Sequence, residues 1–258
     1  QAAVEEERFE GSFEGIGVEF DVINDTLIVV SPVPSGPSER LGILAGDKIM
    51  KINDTSSVGI TREMVPKKLR GPKGTHVKVS ILRPGEKELI DFDITRDKIP
   101  LFSVDVSFMV DKEVGYVSVN RFSKTTHDEF VDALTKLRSQ GMKRLVVDLR
   151  NNPGGYLEQA FKMADELLPK GKKVVYTLGR RSEFNEEYVS AGGKFEGVSL
   201  IILVSHGSAS ASEIVSGAVQ DWDRGLIVGE TTYGKGLVQR QFNLPDKSAF
   251  RLTIARYY

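Results

Sequence analysis

The sequence predicts an α/β protein in two parts: a small, mostly-β unit and then a larger unit of alternating strands and helices. Three observations predict this. Up to about residue 97 the apolar residues fall in short, β-branched stretches separated by Gly, Pro, Asn and Asp. After Pro100 the texture changes to continuous apolar strands alternating with amphipathic helices, which implies a sheet with parallel connections. The chain has 258 residues, of which 40% are hydrophobic, enough core for two modest domains or one large α/β domain.

Residues 1–10 are polar and acidic and read as the end of a helix or a loose arm. G-I-G-V-E-F-D-V and T-L-I-V-V-S-P-V form two strands around the turn Asn24-Asp25. Ser38–Leu44 reads as a short helix ending at Ala45-Gly46, and Gly46–Asp54 as a strand and turn. Thr61–Leu69 fits a helix with Thr61 as cap and a kink at Pro66. Thr75–Arg83 and Glu88–Thr95 alternate as strands joined by Pro84-Gly85. In the second part, V-G-Y-V-S-V-N-R-F is a strand and His127–Gln140 a helix with Phe130, Val131, Leu134 and Leu137 on one face. Arg144–Arg150, Lys173–Leu178, Ser199–Val204 and Gly225–Glu230 read as buried strands. Helices are expected at Tyr156–Leu168 and Ser210–Trp222.

Composition excludes several classes. Net charge is -1, so there is no basic footprint for nucleic acid. No cysteine is present, which rules out disulfides and a thiol nucleophile. His76, His127 and His206 lie far apart with no metal-ligand spacing, so no metal and no cofactor are implied. No apolar run reaches the length of a membrane span, and no signal peptide is visible.

Ligands of an α/β sheet bind beyond the carboxyl ends of its strands. Three loops there should converge: N-N-P-G-G (151–155), S-H-G-S-A-S-A-S (205–212) and T-T-Y-G-K-G (231–236). Ser210 stands at a helix mouth, where free N–H groups stabilise negative charge. Taken alone, Ser210-Ala211-Ser212-Glu213 is more simply a capping box. Lys235 between two glycines could equally be a solvated charge. Flanked by apolar stretches, it could instead be buried, and a neutral amine can take a proton from serine. Gly229-x-x-x-x-Gly234-Lys235 is most of a phosphate-binding loop, but Gly236 replaces the Ser or Thr and a strand follows instead of a helix. A triad using His206 is disfavoured by its closeness in sequence to Ser210.

The combination of D-L-R-N-N-P-G-G, G-S-A-S-A-S-E-I and G-K-G-L-V-Q resembles the carboxy-terminal processing, or tail-specific, proteases. G-I-G-V-E-F and G-P-S-E-R-L-G-I-L-A-G-D-K-I-M-K-I-N are similar to the core of bacterial PDZ domains. The resemblance implies residues 1–11 as a remnant of an N-terminal helical segment, 12–97 as a PDZ domain, and 98–258 as a crotonase/Clp-like α/β serine protease core that stops short of the family's usual end. It implies Ser210 as nucleophile and Lys235 as general base. Gln239, one helical-turn spacing beyond the lysine, would orient it. The N–H groups of Ala211 and of Gly154 or Gly155 would form the oxyanion hole.

In the PDZ unit, Gly15, Ile16, Gly17, Val18, Phe20, Met64 and Leu69 would receive a peptide added as an extra strand. Arg70 is a further candidate for contact with peptide or core. The implied partners are proteins with apolar C-terminal tails, with a regulatory partner and a homo-oligomer left open. The implied location is the bacterial envelope or periplasm. Two other readings stay open: a non-catalytic binder of peptide tails, and a crotonase-like enzyme of acyl thioesters. A Ser210–Lys235 separation of about 3 Å would support a working dyad.

Overall fold

The structure is a computed structural model and describes residues 9–245 and 248–258. The chain divides into two compact units. One is Ser12–Leu101; the other holds Phe102–Tyr258 with the described residues up to Gly11. The segment expected at 1–11 lies outside the described residues except for Phe9–Gly11.

In the first unit, β1 (Ser12–Gly15) pairs antiparallel with β8 (Asp97–Pro100). The main sheet holds β2 (Val18–Ile23), β3 (Thr26–Pro32), β4 (Lys48–Ile52), β6 (His76–Leu82) and β7 (Ile90–Thr95), in the order β2-β3-β4-β6-β7, with β5 (Thr55–Ser56) on β4. Asn24 and Asp25 take φ of 48° and 57°, which a tight hairpin requires of both central residues and which Asn and Asp tolerate. The alternation of T-H-V-K-V-S-I-L-R puts Val77, Val79 and Ile81 in the core with Leu27, Val29, Ile49 and Ile94. The first helix, α1, is shorter than expected (Pro37–Arg40). Likewise α2 spans Met64–Leu69, not Thr61–Leu69. The later start puts Pro66 in the first turn, where an N–H is not needed, so proline does not have to kink the helix.

The second unit contains β9 (Val104–Met109), β10 (Val114–Val119), α3 (Thr126–Ser139), β11 (Arg144–Asp148), α4 (Leu157–Leu167), β12 (Lys173–Gly179), β13 (Glu187–Val189), β14 (Ser199–Val204), α5 (Ala211–Asp221), β15 (Leu226–Gly229), β16 (Leu237–Asn243) and β17 (Ala249–Tyr257). A five-stranded sheet runs β15-β14-β11-β10-β9. β10, β11, β14 and β15 are parallel, and β9 is the antiparallel edge. Phe130, Leu134 and Leu137 of α3, Met163 and Leu167 of α4, and Val215 and Val219 of α5 share one core with Val117, Val147 and Ile202 of the sheet.

Two strand expectations are corrected. The Lys173–Leu178 strand does not join the parallel sheet; β12 sits in a separate antiparallel sheet, β13-β12-β17-β16. Its partner β17 lies far along the chain, and local pattern cannot reveal such a pairing. The Gly225–Glu230 strand is not buried on both sides. It forms the edge strand β15, with Leu226 at 66% exposure.

Candidate active site

Because β11, β14 and β15 are parallel, their carboxyl ends share an edge, and the three glycine- and serine-rich loops meet there. Side chains and backbone lace them together. Ser208 is fully buried, and its hydroxyl donates to the Leu149 carbonyl (2.7 Å) while accepting from the Ser205 N–H (2.9 Å). Ser212, also fully buried, donates to the Asn152 carbonyl (3.0 Å), which accepts from the Ala209 N–H as well (3.0 Å). The Tyr233 N–H donates to the Ser208 carbonyl (3.0 Å). Two of the serines around Ser210 are thus staples between loops.

Ser210 differs from its neighbours. It precedes α5 with φ 57° and ψ −112°, a left-handed conformation that costs a non-glycine residue about 1–3 kcal/mol and persists only where the surroundings impose it. The imposing group is Glu213, at the third position of the helix. Its Oε2 accepts from the N–H of Ser210 (2.7 Å) and of Lys235 (2.9 Å); its Oε1 accepts from the N–H of Gly234 (2.6 Å) and the hydroxyl of Thr232 (2.8 Å). One carboxylate therefore ties the lysine loop to the serine's helix. In the sequence Glu213 figured only as half of a capping box. Its wider use could not be read there, because its other donors lie a strand away.

Gly154 packs directly against the serine. A Cβ on it would lie 2.7 Å from the Ala209 carbonyl, 2.8 Å from the Ser210 Cβ and 2.9 Å from the Ala211 nitrogen, and its φ is +97°. Its N–H is taken by Asn152 Oδ1 (2.9 Å). Gly155 has Phe122 as its neighbour; its Cβ would fall 2.0 Å from the Phe122 carbonyl oxygen. The loop is anchored at its start by Asp148, which accepts from the Tyr116 hydroxyl (2.6 Å), the Arg150 N–H (2.9 Å) and the Arg150 guanidinium (2.6 Å). Burial opposes the Asp148 charge, but the bonds from Arg150 and Tyr116 hold its carboxyl below the usual range.

These loops floor a cavity of about 800 Å³ lined by Ser210, Ala211, Lys235, Gln239, Gly154 and Gly155, with apolar surface from Leu157, Ile214 and Leu237. The six residues expected to act on substrate thus line one cavity. Gln239 does so from strand β16, so its spacing from Lys235 is not a helical turn as expected. Phe9 and Tyr257 are among the lining residues that the sequence did not single out. The Tyr257 hydroxyl donates to the Lys235 carbonyl oxygen. Burial first, and then the Glu213 charge, push this phenol's pKa up, so it stays protonated at neutral pH. Among the described residues no hydrogen bond joins the Ser210 hydroxyl to the Lys235 amine.

The first unit has its own groove, between β2 and α2. Ile16, Gly17, Val18, Phe20 and Leu69 line it as expected, joined by Phe13, Val65, Pro66 and Arg70. Two expectations are corrected. Gly15 is engaged in the β1–β8 ladder opposite Asp97 and does not line the groove. Met64 is 44% exposed and lies outside it; Val65 and Leu69, four apart, form the inner face of α2.

A family model described as Peptidase family S41 matches residues 113–258, and one described as PDZ domain matches residues 15–94. A carboxyl-terminal-processing protease of Picosynechococcus sp. is 38% identical over 253 residues, covering 96% of this chain and 60% of its own. A probable CtpA-like serine protease of Staphylococcus aureus is 38% identical over 244 residues, covering 94% of this chain and 48% of its own. The solved structure of a photosystem II D1 C-terminal processing protease covers 100% of this chain and 70% of its own, with 30% identity and a TM-score of 0.55. The chain spans between about half and about three-fifths of the length of these curated relatives.

Proposed function

The chain belongs to peptidase family S41 and carries a PDZ domain, and we propose that it is a serine endopeptidase that holds the C-terminal tail of a protein in the PDZ groove and cuts with a Ser210/Lys235 dyad. The observation that carries this reading is the Glu213 carboxylate, which bonds the backbone of both dyad residues at once. Ser210 and Glu213 do form the capping box, but a cap alone has no need of a strained backbone, and a solvated loop lysine has no need of such a strap. In the proposed reaction the neutral Lys235 amine accepts the Ser210 Oγ proton as Oγ bonds to the scissile carbonyl carbon. The C–N bond then breaks, the leaving amine takes its proton from Lys235, and water releases the acyl-enzyme by the same steps.

Negative charge on the carbonyl oxygen would meet the N–H of Ala211 at the mouth of α5. The second donor would be Gly155, since the Gly154 N–H already serves Asn152. Each donor of this kind is worth about 3 kcal/mol in the transition state. Gln239 would orient the amine from the strand wall. The dyad hydrogen bond forms in the substrate complex, as catalytic bonds that are open in free enzymes commonly do.

Tail recognition has its own support. The Ile16 carbonyl accepts from the Ser38 hydroxyl (2.6 Å) and N–H, and the Gly17 carbonyl accepts from the Val33 N–H (2.9 Å). With those carbonyls turned to the fold, the loop's N–H groups are available to a terminal carboxylate, beside apolar Val18, Phe20, Val65 and Leu69. The substrates are accordingly proteins with apolar tails. A bacterial envelope location is part of this reading, testable by fractionation.

Replacing Ser210 by Ala, or Lys235 by Ala, in the full-length protein should lower kcat on a tailed protein substrate by about 10³-fold or more while tail-peptide affinity stays within about twofold. Turnover that survives either change overturns the dyad. Tail binding with no cleavage by the unaltered full-length protein would favour a non-catalytic binder instead.

A further inference from the structure

We infer that Phe9, from the stretch before β1, is a specificity-determining residue of the cleavage site: with Tyr156 it walls a subsite for an apolar side chain beside the scissile bond. This rests on the cleavage at Ser210 proposed above. Phe9 and Tyr156 line the same cavity as Ser210 and Lys235. Their rings meet with 5.5 Å between centroids and 57° between planes, a tilted geometry of the kind aromatic pairs prefer. Both residues are only half-buried, so ring surface is left open to the cavity.

Short connections hold this wall close to the chemistry. Tyr156 follows Gly155, the proposed second oxyanion donor. Its N–H donates to the Phe122 carbonyl (2.9 Å), and the Phe122 N–H donates to the Gly154 carbonyl (2.9 Å). Phe9 is held by the residues that come next after Phe122. Its carbonyl accepts from the Lys124 N–H (2.9 Å), and the Lys124 ammonium pairs with Glu10 at 2.6 Å. Gly11 lies so close to Thr125 that a Cβ on it would meet the hydroxyl at 2.8 Å, at a φ of +72°. The 122–125 stretch therefore bonds both the glycine loop and the strip that bears Phe9, which fixes the ring relative to Gly155.

The physical consequence is selection. Pro153 and Leu157 extend the apolar surface on either side of the glycines. Apolar surface facing a cavity open to water gains when another apolar group covers it. A branched or aromatic side chain of the bound substrate does so, whereas a polar one pressed against two rings loses water without gaining a hydrogen bond. Apolar contacts of this size separate substrates by about 10- to 200-fold in kcat/KM. The Phe9 side chain carries no group that gives or takes a proton, so it acts on which substrate is held and not on the transfer from Oγ to the lysine.

Phe9→Ala removes the ring and keeps the backbone bond to Lys124. The test uses the full-length protein and C-terminally amidated peptides, which lack the carboxylate proposed for the groove of the first unit. At one position flanking the cut, the parent should cleave a Leu or Phe peptide about tenfold or more faster, in kcat/KM, than the Ser peptide. Phe9→Ala should bring that ratio to within about twofold. Cleavage of the Ser peptide and fluorophosphonate labelling of Ser210 should stay as in the parent, which separates selection from damage to the fold or the dyad. An unchanged ratio overturns the inference, as does an equal fall for both peptides or a parent with no such preference. Ser210→Ala, measured alongside, distinguishes the two levels: if it still cuts, the dyad falls, and the Leu-to-Ser ratio still reads the wall. Should the parent cut neither peptide, fluorescein-labelled forms of both are compared by polarisation. Weaker binding of the Leu peptide alone to Phe9→Ala then supports the wall, and equal binding overturns it.

Discussion

The cavity around Ser210 and the groove between β2 and α2 are built from opposite materials. The cavity is assembled from hydrogen bonds: one carboxylate takes four donors, buried serines lace loop to loop, and a serine is held at a backbone angle it would not choose. The groove is assembled from apolar side chains on a regular strand and helix, with hydrogen bonds from Ser38 and Val33 turning the carbonyls of its entry loop. The difference teaches where geometry must be fixed. Chemistry needs atoms held to a fraction of an ångström, which directional bonds supply. Recognition of an extended tail needs shape and area, which tolerate small shifts.

Three changes would break or sharpen this contrast. The largest effect is expected from Gly154→Ala. Its methyl meets backbone at 2.7–2.9 Å and its φ is +97°, so the loop must move off Ser210. Activity should fall more than 100-fold, with a loss of stability of about 1–3 kcal/mol in chemical denaturation. A near-normal rate would show that the cavity is more forgiving than its bonding suggests. Glu213→Gln comes next. A side-chain amide replaces one acceptor oxygen by a donor, leaving two of the four donors facing an N–H. A fall in kcat of about 10- to 100-fold is expected, with a lowered thermal midpoint, since bonds to a charged acceptor are worth about 1.5–3 kcal/mol each. An unaltered midpoint would mean the strap does not hold the lysine loop.

The smallest effect is expected in the groove. Phe20→Ala should weaken a tail peptide about three- to tenfold by fluorescence polarisation, from loss of apolar contact of about 1 kcal/mol, while fluorophosphonate labelling of Ser210 stays as in the parent. Slowed labelling would show that the two sites do not act as separately as their construction implies.

Much of this was legible beforehand because it is local. The Asn24-Asp25 hairpin, the alternation of β6, and the apolar faces of α3 and α5 follow from residues near one another in sequence. The convergence of the three loops follows from parallel connections alone. The misses share a cause. Pro66 looked like a kink because the start of α2 at Met64 goes with the burial of Val65 and Leu69, which the local pattern does not specify. Met64 and Gly15 looked like groove residues because their sequence neighbours are. Lys173–Leu178 looked like one more parallel strand because its partner β17 is some eighty residues away.

By itself the sequence determined the order of elements, the split into two units, and the motifs that mark the family, since these depend on short-range pattern and on residue chemistry. Only the tertiary structure decided that Glu213 grips both loops, that the Gly154 N–H is spent on Asn152, and that the Tyr257 hydroxyl reaches the Lys235 carbonyl. Each of those facts is a hydrogen bond between groups that only folding brings within 3 Å or so, and no periodicity along the chain encodes which distant donor a given oxygen will meet.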